Sequence, residues 1–339
     1  MSKATFAIIA AASAATGAGV TAFIYSSKNR QQQLGSQPPS TTRLPPPKPT
    51  TTTSIPSPHQ PQSPSLATSR ATTSPVDPAG VFQYGFPGPV VDTVTNVTLT
   101  SAFDRRTRNP FWVAEHITPE SLSLNNGDRH RSNFYEETTI PKAFRAGLSD
   151  YFRSGYDRGH QVPAADAKWS QDAIDGTFTL ANMCPQVGEG FNRDYWRHFE
   201  EFCRTLTKAY PSVRIVTGPL YLPKRDPADG KWKLTCEVIG NPPNVTVPTH
   251  FYKVIFAEDG STNGKVSLGA FVLPNAPIPN EKSLSDFEVP LEAVERASGL
   301  EFANKLPSNR RKQLCKEVKC EINVRQFGQK TNDKAIKSS

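Results

Sequence analysis

Charge is what the N-terminal end of this 339-residue chain lacks. No charged residue occurs from residue 4 to residue 25, a stretch about as long as the roughly 20 residues that cross a bilayer. Its centre, residues 10–19, consists of Ala, Ser, Thr and Gly and is only mildly apolar. Arginine is absent from the first 29 residues, which fits a purely amphipathic transit helix poorly; acids are absent too, which fits import into an organelle. Three readings stay open on these residues: a cleaved secretory signal, a transit peptide followed by an inner-membrane anchor, and a membrane anchor alone.

Aromatic residues are missing next, with none between Tyr25 and Phe82. Twelve of the 31 prolines fall between Pro38 and Pro78, mixed with Ser and Thr. Such a stretch cannot bury enough apolar surface to offset the entropy of ordering its backbone, so it is read as an extended tether. The run at residues 44–49 (Leu-Pro-Pro-Pro-Lys-Pro) also permits a Pro-rich ligand, and the plain spacer is the preferred reading. Cysteine is scarce: five residues, an odd number, with no C-x-x-C. That excludes a zinc ribbon and a complete disulfide set. Most of the five are expected to be buried or free thiols, and Cys315 could pair with Cys320 only across a turn. No internal repeat and no regular βαβ alternation is visible.

What is present begins with charge of one sign. The formal net charge is +8, a balance that favours polyanionic partners such as nucleic acid or anionic membrane. Folded sequence is expected from Val81. Residues 94–103 alternate as a strand does, residues 105–109 read as a turn, and residues 111–117 as a second strand. Further strands are expected at 213–218, 249–256 and 267–273, and helices at 194–209 and 291–299, the latter closed by Gly299. Strands and helices without βαβ order argue for an α+β fold. The Lys-rich residues 310–339 are expected to be a loosely ordered basic tail.

Chemistry concentrates in residues 155–164 (Gly-Tyr-Asp-Arg-Gly-His-Gln-Val-Pro-Ala), 182–186 (Asn-Met-Cys-Pro-Gln) and 191–196 (Phe-Asn-Arg-Asp-Tyr-Trp). Together with matches at 169–171, 217–220, 247–251 and 295–300, these resemble the DNA/RNA non-specific endonucleases. The resemblance is closest to the mitochondrial endonuclease G branch and its fungal members. It covers about residues 81–305, and it implies a ββα-metal nuclease core within a mixed, largely antiparallel-sheet domain, expected to span residues 81–309. It also implies cleavage of both DNA and RNA to 5′-phosphate and 3′-hydroxyl ends, and a homodimer. Among the N-terminal readings it favours a mitochondrial inner-membrane anchor over residues 1–30, joined by a linker of residues 31–80 to a domain facing the intermembrane space.

Hydrolysis of a phosphodiester needs an activated water and stabilisation of charge on the phosphoryl and leaving oxygens. His160 is the candidate general base, with an ordinary pKa that leaves it mostly neutral at pH 7. Gly159 beside it is expected to let a phosphate approach closely. Asn192 resembles the family's ligand to Mg²⁺ or Mn²⁺; the alternative is a cap on the following helix. Glu200 would face a metal-bound water. On one continuous helix Glu200 and Asn192 would lie about 80° apart around the axis and ~12 Å along it. Arg158 is the candidate phosphate grip, or else pairs with Asp157. Arg129 and Arg131 compete for a second phosphate contact. Asn182 either orients the imidazole or caps a turn. Ala181 replaces a serine common in the family without touching a catalytic role. Backbone-phosphate contacts to DNA and RNA would carry no sequence code, so cleavage should be non-specific.

A fusion of residues 1–80 to a fluorescent protein should localise to mitochondria and resist carbonate extraction. Its appearance in the culture medium would select the secretory reading instead.

Overall fold

The computed structural model describes Pro75 and residues 79–85 and 92–322. The expected anchor, nearly all of the linker and the tail beyond residue 322 lie outside the described residues. Among those described, no helix is long and apolar enough to cross a membrane.

Seven strands form one sheet: β1 (Asp92–Thr95), β2 (Leu99–Asp104), β3 (Asn109–Ile117), β6 (Ser212–Leu220), β11 (His250–Glu258), β12 (Val266–Pro274) and β13 (Arg311–Gln313), in that spatial order. All neighbours are antiparallel except β12 and β13. A separate hairpin pairs β4 (Asp157–His160) with β5 (Met183–Gln186). Two-residue pairs, β7 (Lys224–Arg225) with β8 (Trp232–Lys233) and β9 (Val238–Ile239) with β10 (Val245–Thr246), fill the connection between β6 and β11. The helices are α1 (Pro119–Ser123), α2 (Leu148–Tyr151), α3 (Gln171–Gly176), α4 (Tyr195–Leu206), α5 (Leu291–Ser298) and α6 (Leu314–Glu317). The mixed α+β class is as expected.

Alternation along the central strands sends side chains to two cores. One face carries Ile117, Val213, Ile215, Phe251, Ile255, Phe271 and Leu273 against α4. The other carries Trp112, Ala114, Val216, Tyr252 and Val254 against Leu291 and Val294 of α5, with Leu300 and Phe302 beyond it. With both faces covered, β6, β11 and β12 are buried almost throughout, as strands of a two-sided layer must be. Helix α4 binds its face through Tyr195, Trp196, Phe199, Phe202, Cys203 and Leu206, spaced three and four apart. Each such large side chain contributes about 1.5–3 kcal/mol on full burial. Helix α5 ends as the sequence indicates, on Gly299 at φ 74°, whose N–H reaches Glu295 O at 2.8 Å.

Three expectations change. Residues 94–103 are a hairpin of β1 and β2, because the Asn96 side chain accepts from Thr98 N at 2.9 Å and Leu99 N at 3.1 Å and turns the chain. The tail does not begin at residue 310. Strand β13 extends the sheet, Leu314 and Cys320 enter the α4-side core, and Cys315 and Cys320 form a disulfide across the turn after α6. Gly159 serves packing rather than phosphate access: a Cβ there would lie 2.0 Å from Gln186 Oε1 across the hairpin.

Candidate active site

The β4–β5 hairpin sets His160 opposite Met183 and Asp157 opposite Gln186. From β5 the chain passes through a wide turn, Gly188–Asn192, into α4. Gly190 adopts φ 76°, and the turn closes with Asn192 N donating to Val187 O at 2.9 Å.

His160 is 8% exposed. Phe178 meets its ring edge-on at 5.0 Å between centroids and Phe134 lies tilted at 5.6 Å. Nε2 is buried without a hydrogen-bond partner among the described residues. The ring is therefore held by aromatic packing rather than by a carboxylate. Burial, and then the Arg129 guanidinium, push its pKa down to about 3. A neutral imidazole with a spare nitrogen lone pair is a proton acceptor.

Asn192 lies in the turn before α4, so helical spacing does not relate it to Glu200. Nor does it cap the helix: the N-cap position is Asp194, whose Oδ2 accepts from Gly190 N at 2.6 Å. Instead Asn192 Nδ2 donates to Asp157 Oδ2 at 2.8 Å, and Oδ1 accepts no hydrogen bond among the described residues. Arg193 grips the same carboxylate through Nε at 2.8 Å and Nη2 at 2.5 Å. Burial raises the Asp157 pKa, but the bonds from Arg193 and Asn192 outweigh it and hold it below its ordinary value.

Glu200 is half-buried on α4. Burial pushes its carboxyl up to about 7 against the pull of Lys253 and Arg204; Asp166 pushes the same way and Arg129 opposes. Arg129 is thus felt by both His160 and Glu200, which lie on different elements, and its guanidinium is 5.8 Å from the Phe178 ring that backs His160. Arg131 is exposed and is not among the charges felt by either group. Arg158 is exposed and stacks 4.2 Å from the Phe134 ring centroid; the expected alternative pair with Asp157 is absent, because Arg193 and Asn192 occupy that carboxylate.

Asn182 does not reach the imidazole. Its Oδ1 accepts from Val162 N at 2.9 Å, and its Nδ2 donates to Val162 O at 2.9 Å and Thr177 O at 2.8 Å. Every direction of this fully buried amide is spent on backbone, so it braces the chain after His160. Asn96 and Asn244 each open an Asn-x-Thr sequence, and their amides are engaged internally, Asn96 to Gly176 O and Asn244 to Asp150.

Among the described residues no three His, Cys, Asp or Glu side chains converge on a common metal position. The free Asn192 Oδ1 is a neutral oxygen donor, the type Mg²⁺ accepts alongside several waters. The residues present therefore fit a hydrated divalent ion held by one amide, and not an all-protein cage.

Residues 77–309 match the DNA/RNA non-specific endonuclease family. The chain belongs to that family. It is an endonuclease acting on DNA and RNA. It is 57% identical over 288 residues to the mitochondrial nuclease of Saccharomyces cerevisiae, covering 84% of this chain and 86% of the relative. It is also 57% identical over 254 residues to the mitochondrial nuclease 1 of Schizosaccharomyces pombe, covering 75% and 79%. Among solved structures, a complex of EndoG with its inhibitor EndoGI superposes with a TM-score of 0.66 at 42% identity, covering 71% of this chain and all of the other.

Sequence reasoning missed one feature of this candidate site and two charged residues that lie behind it. The role of Asp157 was hidden because it was weighed only as an alternative partner for Arg158. The charged residues behind Glu200, Glu115 and Lys253, sit in apolar strands where periodicity marks them only as interruptions. In metal-free protein, the His160 ring protons should show no NMR titration between pH 8 and pH 5, because a pKa lowered to about 3 keeps the ring neutral there. A midpoint near 6.5 would show a solvated imidazole.

Proposed function

We propose that the chain is a mitochondrial, divalent-metal-dependent endonuclease in which His160 takes the proton of the attacking water and Asn192 holds a single Mg²⁺ or Mn²⁺. The carrying observation is that one hairpin governs two complementary groups: an imidazole kept neutral by burial and an amide oxygen left free by Asp157. Arg158 and Arg129 present guanidinium groups to the phosphate, Arg129 being favoured over Arg131 by its electrostatic reach to His160 and Glu200. The ion, when bound, supplies positive charge to the phosphoryl and leaving oxygens.

His160 accepts a proton as the water oxygen bonds to phosphorus. The bond from phosphorus to the 3′ oxygen breaks and that oxygen takes a proton from solvent water, leaving a 5′-phosphate and a 3′-hydroxyl. Glu200, titrating near 7, accepts a hydrogen bond from water in the site. Contacts to phosphate rather than base edges account for activity on both DNA and RNA. The mitochondrial names of the fungal relatives support the location, and the uncharged residues 4–25 support attachment to the inner membrane. The homodimer rests on the family resemblance.

The test is digestion of plasmid DNA and of RNA across a Mg²⁺ series, with and without EDTA. Both polymers should be cut, and EDTA should stop both. His160→Ala should lose about 10²–10⁴-fold in rate. Asn192→Ala should need more Mg²⁺ for half-activity and recover in part when it is supplied. Glu200→Gln should be milder, and Arg158→Ala should bind substrate less well without rescue by metal. A His160→Ala rate within about twofold of wild type, against the general-base range, would remove that residue from the mechanism. An unchanged metal midpoint for Asn192→Ala would move the ion elsewhere.

A further inference from the structure

At the centre of the sheet, where only apolar side chains are expected, β11 carries a lysine. Lys253 is 1% exposed. Its register partner on β6 is Thr217, itself fully buried, and Nζ donates to Thr217 Oγ1 at 2.8 Å. The same nitrogen donates to Gln161 O at 3.3 Å and lies 4.9 Å from the Trp196 ring centroid of α4. Gln161 follows His160 directly. Its N–H is held by Asn182 O at 3.0 Å, so the residue after the proposed base is clamped through its N–H by Asn182 and through its carbonyl by Lys253.

The surrounding charges narrow what the ammonium serves. Those felt by Glu200 are Lys253 on β11, Arg204 on the same helix, Asp166 from the turn after β4, and Arg129. Arg204 is already committed to Asp166 at 2.6 Å and to Glu201 at 2.9 Å. Glu115 of β3 is buried beside the group, and both its oxygens lack a hydrogen-bond partner. Burial first, and then Asp166, hold its carboxyl well above the ordinary value against the pull of Lys253, with Glu200 adding to the rise and Arg204 opposing it. The Lys253 charge also acts on Glu200, whose carboxyl it pulls down against the effect of burial. A methionine of similar length would occupy this volume without the cost of desolvating an ion.

We propose that Lys253 is a positioning residue for the cleavage reaction: its ammonium ties the carbonyl of Gln161, the residue after His160, to Thr217 of the central sheet and sets a buried positive charge against the Glu200 carboxylate. The inference rests on the assignment of His160 and Glu200 to the reaction. Lys253 touches no substrate. It acts by fixing the base along its strand and by keeping Glu200 an acceptor of hydrogen bonds.

The experiment compares Glu115→Gln with Lys253→Met/Glu115→Gln, the first change removing an acid that would otherwise lose its cation. Steady-state cleavage of a short fluorescent oligonucleotide is measured against pH in saturating Mg²⁺, with thermal unfolding alongside. Glu115→Gln should keep wild-type kcat. The double variant, folded, should lose about 10–100-fold in kcat, as a displaced catalytic group does, at unchanged KM. Its acid limb should move to higher pH, because Glu200 no longer faces a cation. A folded double variant with kcat within twofold of Glu115→Gln and an unmoved pH profile would overturn the inference. Thr217→Val keeps it testable should the double variant not fold: a threefold or greater loss of kcat at constant KM supports it, and wild-type kcat overturns it. His160→Ala and Glu200→Gln run in the same assay separate the two levels. Wild-type activity in both of those would sink the site assignment itself, whereas a loss of activity in both beside a fully active double variant would sink only the role of Lys253.

Discussion

The Asp157 carboxylate is the interaction on which the site depends. It stands at the start of the strand that ends in His160 and accepts from both Asn192 and Arg193 of the turn leading into α4. By taking the Asn192 amide nitrogen it determines which atom of that side chain is left for a cation. The Arg193 pair is exposed and screened by solvent, so the half-buried Asn192 contact carries more of the effect. The two groups assigned to chemistry are thus joined through one acid that takes no part in bond breaking.

Behind this hairpin the sheet is organised as two apolar cores, and the core on the α4 side is interrupted by charge. Trp196, Phe199 and Cys203 pack on the same sheet face that presents Thr217 and Lys253. Helix α4 therefore has two duties: its aromatic residues hold it to the sheet, and Glu200 and Arg204 meet the buried charges there. Burial in these low-dielectric surroundings pushes the Glu200 carboxyl up to about 7, even against the pull of Lys253 and Arg204.

Much of this was legible in the chain. Strands β3, β6, β11 and β12 and helices α4 and α5 follow from apolar periodicity, and Gly299 ends α5 as its type suggests. The hairpin at Asn96 was not, because strand alternation runs on through a turn that a single side chain imposes. Strand β13 escaped because its Arg, Lys and Gln read as tail, whereas its backbone alone supplies the pairing to β12. In the site, His160, Asn192 and Arg158 stood out by residue type and context. Asn182 was over-read, since nothing in a sequence tells an amide that contacts an imidazole from one spent on backbone. Glu115 and Lys253 could not be paired before the strand register placed their rows on one face.

The central claim is that Asp157 makes Asn192 a metal ligand by fixing its amide. Replacing Asp157 with Ala frees that amide to rotate while leaving His160 and the apolar cores in place. The decisive measurement is the Mg²⁺ concentration for half-maximal cleavage by this variant, with thermal unfolding as a check on the fold. The account predicts a rise of about tenfold, equivalent to losing one hydrogen bond of roughly 1.4 kcal/mol from the ligand's support. A folded Asp157→Ala protein with the wild-type Mg²⁺ midpoint would contradict it.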